Sequence, residues 1–77
     1  MKKYNSEVWV TIFHNGFDLI SQVNGDSVSF NGGDMYVWRD GTICASYDLN
    51  RFKSWRIIDK FFDTGSGVWI VKYLLDI

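Results

Sequence analysis

Two rhythms of apolar and polar residues share this chain: a period of two up to Tyr47, and a helix-like spacing after it. The first is punctuated by turn dipeptides. Asn15-Gly16 predicts a hairpin, since both positions of the favoured two-residue turn need φ > 0. Closing it there pairs His14 with Phe17, Ile12 with Leu19, Val10 with Ser21 and Val8 with Val23. Asn24-Gly25 predicts a second hairpin, pairing Ser21 with Val28 and Leu19 with Phe30. Asn31-Gly32-Gly33 turns the chain into Met35-Tyr36-Val37-Trp38, and Asp40-Gly41 sets Ile43 beside Trp38 and Cys44 beside Val37.

The second rhythm runs from Leu49 to Asp63. Steps of 100° place Phe52, Trp55, Ile58, Phe61 and Phe62 on one face, with Ile57 at its margin. Asp48 reads as the N-cap, Tyr47 and Phe52 as the staple around it, and Gly65 as the C-terminal cap. Trp55 is then the central anchor of a helix. The final strand, Val68 to Leu75, is apolar on both faces, which predicts a position inside a sheet. The expected fold is α+β: a five-stranded antiparallel meander, one helix packed on one sheet face, and a last strand (βββββαβ), in a single compact domain over residues 1–77.

One helix covers one face. The aliphatic face (Val8, Val10, Ile12, Leu19, Val23, Val28, Phe30, Met35, Val37) takes it. That leaves Trp9, Phe13, Ile20, Tyr36, Trp38 and Ile43 on the other face, more aromatic surface than a small chain leaves in water. Those six residues are the candidate partner-binding surface. Arg51, Lys53, Arg56 and Lys60 carry half of the eight basic residues and form a secondary basic surface on the helix.

Composition narrows the chemistry. With 8 basic and 9 acidic residues the net charge is −1, which disfavours unspecific nucleic-acid binding. A lone cysteine, Cys44, excludes an intrachain disulfide and fits the cytoplasm. No apolar run is long enough to span a bilayer, and MKKYNSEVW lacks the apolar core of a leader. His14 and Cys44 fall on strands one and five, about four strand spacings apart, so they form no nucleophile–base pair. Asp18, Asp26, Asp34 and Asp40 lie at or beside turns and read as caps rather than metal ligands. Neither metal nor cofactor is expected.

Asp63-Thr64-Gly65-Ser66 resembles the signature of the pepsin and retroviral aspartic proteases. In that family the carboxylate, here Asp63, pairs with its dimer mate to activate water. The resemblance covers four residues. The family sets its motif after a strand near the start, whereas here it follows the predicted helix, with eleven residues after Ser66. A helix cap explains it better.

The expected function is a small non-enzymatic protein-binding module, with a protein partner or a second copy on the aromatic face. Its size class suggests an inhibitor or anti-defence factor of a phage or mobile element. The alternative is a single-stranded nucleic-acid binder using sheet aromatics and the basic helix stripe, although no RNP-like pattern is present.

Overall fold

The computed structural model describes residues 6–77. The N-terminal MKKYN, part of the segment read as lacking a leader, lies outside them. The chain forms strands β1 (Ser6–His14), β2 (Asp18–Gly25), β3 (Ser27–Asn31), β4 (Asp34–Arg39), β5 (Thr42–Asp48), β6 (Ser54–Asp63) and β7 (Val68–Asp76), with one 3-10 turn at Leu49–Arg51. They build two sheets, one ordered β2-β1-β7-β6 and one ordered β3-β4-β5. β1 runs antiparallel to β2 and parallel to β7.

The α+β expectation is therefore wrong: the fold is two sheets, and the predicted helix is strand β6. Its start signals are real but local. The Asp48 carboxylate accepts from the Asn50 amide at 3.0 Å, and Tyr47 meets Phe52 edge-on at 6.1 Å. They hold three residues of 3-10 turn, after which the chain extends. β-branched and aromatic residues (Trp55, Ile57, Ile58, Phe61, Phe62) favour a pleated surface.

Ile57 stands opposite Tyr73 and Asp59 opposite Lys72, so Ile58 is an extra residue, a β-bulge. Partners on β7 put Trp55, Ile57, Lys60 and Phe62 on one face, and Arg56, Asp59, Phe61 and Asp63 on the other. The residues of the predicted helix face are thus divided, Trp55 and Phe62 on one side of the strand and Phe61 on the other.

The first 48 residues depart from a meander at one point. Asn24-Gly25 makes no hairpin. β2 ends at Gly25 and the chain crosses to the other sheet through Asp26, whose amide donates to the Trp38 carbonyl at 2.8 Å. β2 and β3 are thus not hydrogen-bonded partners. The other turns form where their dipeptides predict, with φ positive at Asn15, Gly16, Gly32, Gly33, Asp40 and Gly41, but the first takes in Phe17 as well, so His14 pairs with Asp18 rather than with Phe17. The hairpin registers are shifted by bulges, however. Phe13 faces Leu19 while Ile12 faces Ser21, leaving Ile20 extra. Trp38 faces Ile43 while Val37 faces Ala45, leaving Cys44 extra, so Cys44 is not beside Val37 in register. The three-residue turn sets Leu19 opposite Phe13 rather than Ile12, so Leu19 leaves the aliphatic face and is 62% exposed.

The sheets pack through Val8, Val10, Ile12 and Leu75 on one side and Met35 and Val37 on the other. Those six are the buried apolar core of a body measuring 39 × 24 × 17 Å, a thin layer for its length. Val23, Val28, Val71 and Tyr73 pack around them. Burial raises the pKa of Tyr73, so its hydroxyl stays neutral. β7 lies inside its sheet, as its two apolar faces predict. Its end is fastened to the first hairpin. The Asn15 amide donates to the Ile77 carbonyl at 3.0 Å, and the Gly16 amide to the Asp76 carboxylate at 2.9 Å.

Gly16 sits in that turn at φ +82°, with open space where a Cβ would go. Gly16→Val therefore meets only backbone strain, expected to cost about 1–3 kcal/mol in thermal or urea unfolding. An unchanged melting temperature would contradict the positive-φ turn.

Candidate functional site

The aromatic face expected from the pattern is divided between the two layers. Trp9 and Phe13 lie on the outside of the four-stranded sheet, because Val8, Val10 and Ile12 point into the core. Tyr36, Trp38 and Ile43 lie on the outside of the other sheet, away from Met35 and Val37. These two surfaces face opposite ways. Ile20, the bulged residue of β2, joins neither; it lines the cavity at the end of the sandwich. Trp9 and Trp38 are half-buried, and the Trp38 indole N–H donates to the Ser29 hydroxyl at 2.8 Å.

The basic stripe is also dispersed. Arg51, in the 3-10 turn, lies 3.9 Å from the Asp48 carboxylate, and the Lys53 ammonium donates to the Asn15 side-chain oxygen at 2.6 Å. Arg56 and Lys60 point to opposite faces of β6. Lys60 stands 6.0 Å from the centre of the Trp69 ring, and Lys72 stands 5.9 Å from that of Phe61. A helix stripe needs a helix, and here there is none.

What the sequence reading missed is β6. Among the described residues it is the outermost strand of its sheet, paired with β7 on one side only. Every residue from Ser54 to Phe62 is exposed. Eleven large apolar side chains are exposed among the described residues, and six belong to β6 and the start of β7: Trp55, Ile57, Ile58, Phe61, Phe62 and Trp69, each between 39% and 49%. Trp55, Ile57, Phe62 and Trp69 share one face of the sheet and Phe61 lies on the other. Phe62 meets Trp69 edge-on at 5.6 Å, while Trp55 stacks on Phe30 at 5.1 Å and tethers β6 to the second sheet. An unpaired ladder edge beside such a patch can take up another strand, through backbone hydrogen bonds and side-chain contacts together.

A cavity of about 640 Å³ opens at the end of the sandwich, lined by Ile12, Ile20, Tyr47, Phe52 and Ile77 with Ser46, Asp48 and Arg51 at its polar side. Its charged groups are engaged, Asp48 with the Asn50 amide and with Arg51. Tyr47 there has a pKa raised by burial and, to a smaller degree, by Cys44, so it stays a neutral phenol.

The chemistry-bearing residues remain apart. His14 ends β1 near Asp18, at 3.9 Å, while Cys44 is exposed in the other sheet. Among the described residues no three His, Cys, Asp or Glu side chains gather into a metal-sized group. The Asp63 carboxylate closes the β6–β7 turn: one oxygen accepts from the Ser66 hydroxyl at 2.8 Å, the other from the Gly65 amide at 3.4 Å. The D-T-G-S motif is thus a turn after a strand, not a helix cap. Gly65 lies outside the positive-φ region, which Gly67 occupies at +74°. Asp26 caps a neighbouring turn rather than its own, accepting from the Asp40 amide at 2.8 Å.

The fold is a small two-sheet β protein, and the edge strand β6 carries five of its exposed large apolar side chains. No protein-family model, curated protein or solved structure matches the chain. No helix among the described residues is long and apolar enough to cross a membrane.

Proposed function

We propose that this chain is a non-enzymatic protein-binding module that takes a partner strand onto the free edge of β6. The observation that carries this reading is β6 itself: ten residues, an open ladder edge, and five large apolar side chains in solvent. Single domains guard such edges with short strands, proline, bulges or inward-pointing charges, because an unguarded edge recruits other chains. Here the strand is long and without proline; it carries a bulge at Ile58 and the charges of Arg56, Asp59 and Lys60, but also exposed aromatic residues, the type of surface that marks an interface. The reading includes a reducing, cytoplasmic setting, which an exposed free thiol at Cys44 suits. The nucleic-acid alternative draws no support from the geometry. Lys60 and Lys72 stand over the chain's own rings, and the net charge is −1.

Ile57→Asp and Phe62→Asp should each weaken partner binding roughly thirty-fold, about 2 kcal/mol, in a titration by biolayer interferometry. Both side chains are about half exposed, so the fold should persist. Trp9→Ala and Trp38→Ala, on the outer faces, should leave affinity within about threefold. The opposite ranking would move the interface to the outer faces.

A further inference from the structure

The geometry points to a second copy of this chain as the strand that β6 accepts, paired antiparallel about a two-fold axis passing between Ile57 and Ile58. This rests on the edge-binding reading above and adds to it the partner and the register. Directly opposed side chains in an antiparallel pair lie on the same face. Under a two-fold axis normal to the sheet, two residues of one strand can oppose each other's copies only if they share a face. In an unbroken strand those residues are an even number apart.

The bulge changes which residues qualify. Arg56 and Asp59 are three apart, yet their partners on β7, Leu74 and Lys72, show that they share a face. Trp55 and Lys60 are five apart and share the other, opposite Leu75 and Val71. An axis through the bulge therefore sets Arg56 against Asp59 of the second copy and Trp55 against its Lys60, twice each. The isoleucines 57 and 58 of both copies meet at the centre. Each contact is favourable: opposite charges, a cation on an aromatic ring, and apolar on apolar.

Registers centred on Asp59, Lys60 or Phe61 fail on charge. An axis at Asp59 stacks Asp59 on its own copy, an axis at Lys60 does the same with Lys60, and an axis at Phe61 sets Asp59 against Asp63. Moving the axis to between Ile58 and Asp59 sets Arg56 against Phe61, again a cation on a ring, but sets Asp59 against Ile58 and so loses the pairing of opposite charges. Among the described residues the ion pairs are His14–Asp18 and Arg51–Asp48; Arg56 and Asp59 are in neither, although Asp59 lies opposite Lys72 on β7. The charges that would repel a random strand are complementary to this one, which makes the edge selective rather than merely adhesive.

The test is sedimentation equilibrium of the full chain over a concentration series, at low salt, with amide exchange of β6 measured in parallel. A dimer is expected, with β6 amides protected as it forms. Arg56→Asp and Asp59→Arg each turn two attractive contacts into two repulsive ones, and should raise the dissociation constant about tenfold or more. The double variant R56D/D59R restores opposite signs and should return to within about threefold of the parent. Arg56→Gln and Asp59→Asn, which add no repulsion, should fall between; circular dichroism confirms that each variant is folded. A folded monomer at every concentration would overturn self-pairing and leave the edge to a strand of another protein. A dimer indifferent to the single reversals, or a folded double variant that stays monomeric, would overturn this register. A dimer that leaves β6 amides unprotected would overturn both self-pairing and the edge-binding reading.

Discussion

Gly25→Val is expected to prevent folding, or to lower stability by about 3 kcal/mol or more, most of what a domain this small has. Gly25 is buried at the end of β2, where the chain leaves one sheet for the other. A Cβ built there would stand 2.5 Å from Val37 Cγ1 and 2.6 Å from the Trp38 carbonyl oxygen. Val37 is a core residue with no exposed surface, and the Trp38 carbonyl accepts from the Asp26 amide, so neither can give way. The sequence alone also predicts a strong effect here, but for another reason, a positive φ in a hairpin. Gly25→Ala separates the two accounts. Alanine is only mildly strained at positive φ, whereas its Cβ makes the full clash, so it should cost nearly as much as valine in urea unfolding. A tolerated alanine would remove the close approach between β2 and β4.

Leu75→Ala should cost about 2–5 kcal/mol, while Trp55→Ala should cost about 1–2. Leu75 has no exposed surface and lies on β7 between Ile12 on β1 and Trp55 on β6, facing Met35 and Val37 across the layer. Truncating it opens a cavity in the thinnest part of the core. Trp55 is 41% exposed and held by its stack on Phe30. A helix centred on Trp55 would reverse this order and make that tryptophan the main anchor. Equilibrium unfolding of the two variants decides between them: a larger loss for Trp55→Ala would put the helix back.

The candidate site was legible only in its ingredients. A surplus of aromatic residues could be counted, and their exposure inferred from how little a chain of this size can cover. Where they gather could not. Trp9 and Trp38 fall on one face if Asn24-Gly25 is a hairpin and on opposite sides of the molecule if it is a crossing. That choice turns on the Val37 side chain and the Trp38 carbonyl meeting Gly25, a contact between residues over ten positions apart. The rim of β6 was hidden because its apolar residues read as the buried face of a helix.

The sequence by itself determined what is local. Positive-φ dipeptides placed the turns at Asn15-Gly16, Gly32-Gly33 and Asp40-Gly41, since few residues accept that backbone. Period-two alternation put Val8, Val10, Ile12, Met35 and Val37 inside, and two apolar faces put β7 in the middle of a sheet. Asp48 started a turn wherever the chain went next. Only the tertiary structure decided the rest: the bulges at Ile20, Cys44 and Ile58, the parallel pairing of β1 with β7, and the extension of residues 54–63. Each depends on which strand lies alongside. A bulge is a mismatch between two strands, and a helix-like spacing becomes a strand when β7 offers a ladder that a helix could not use.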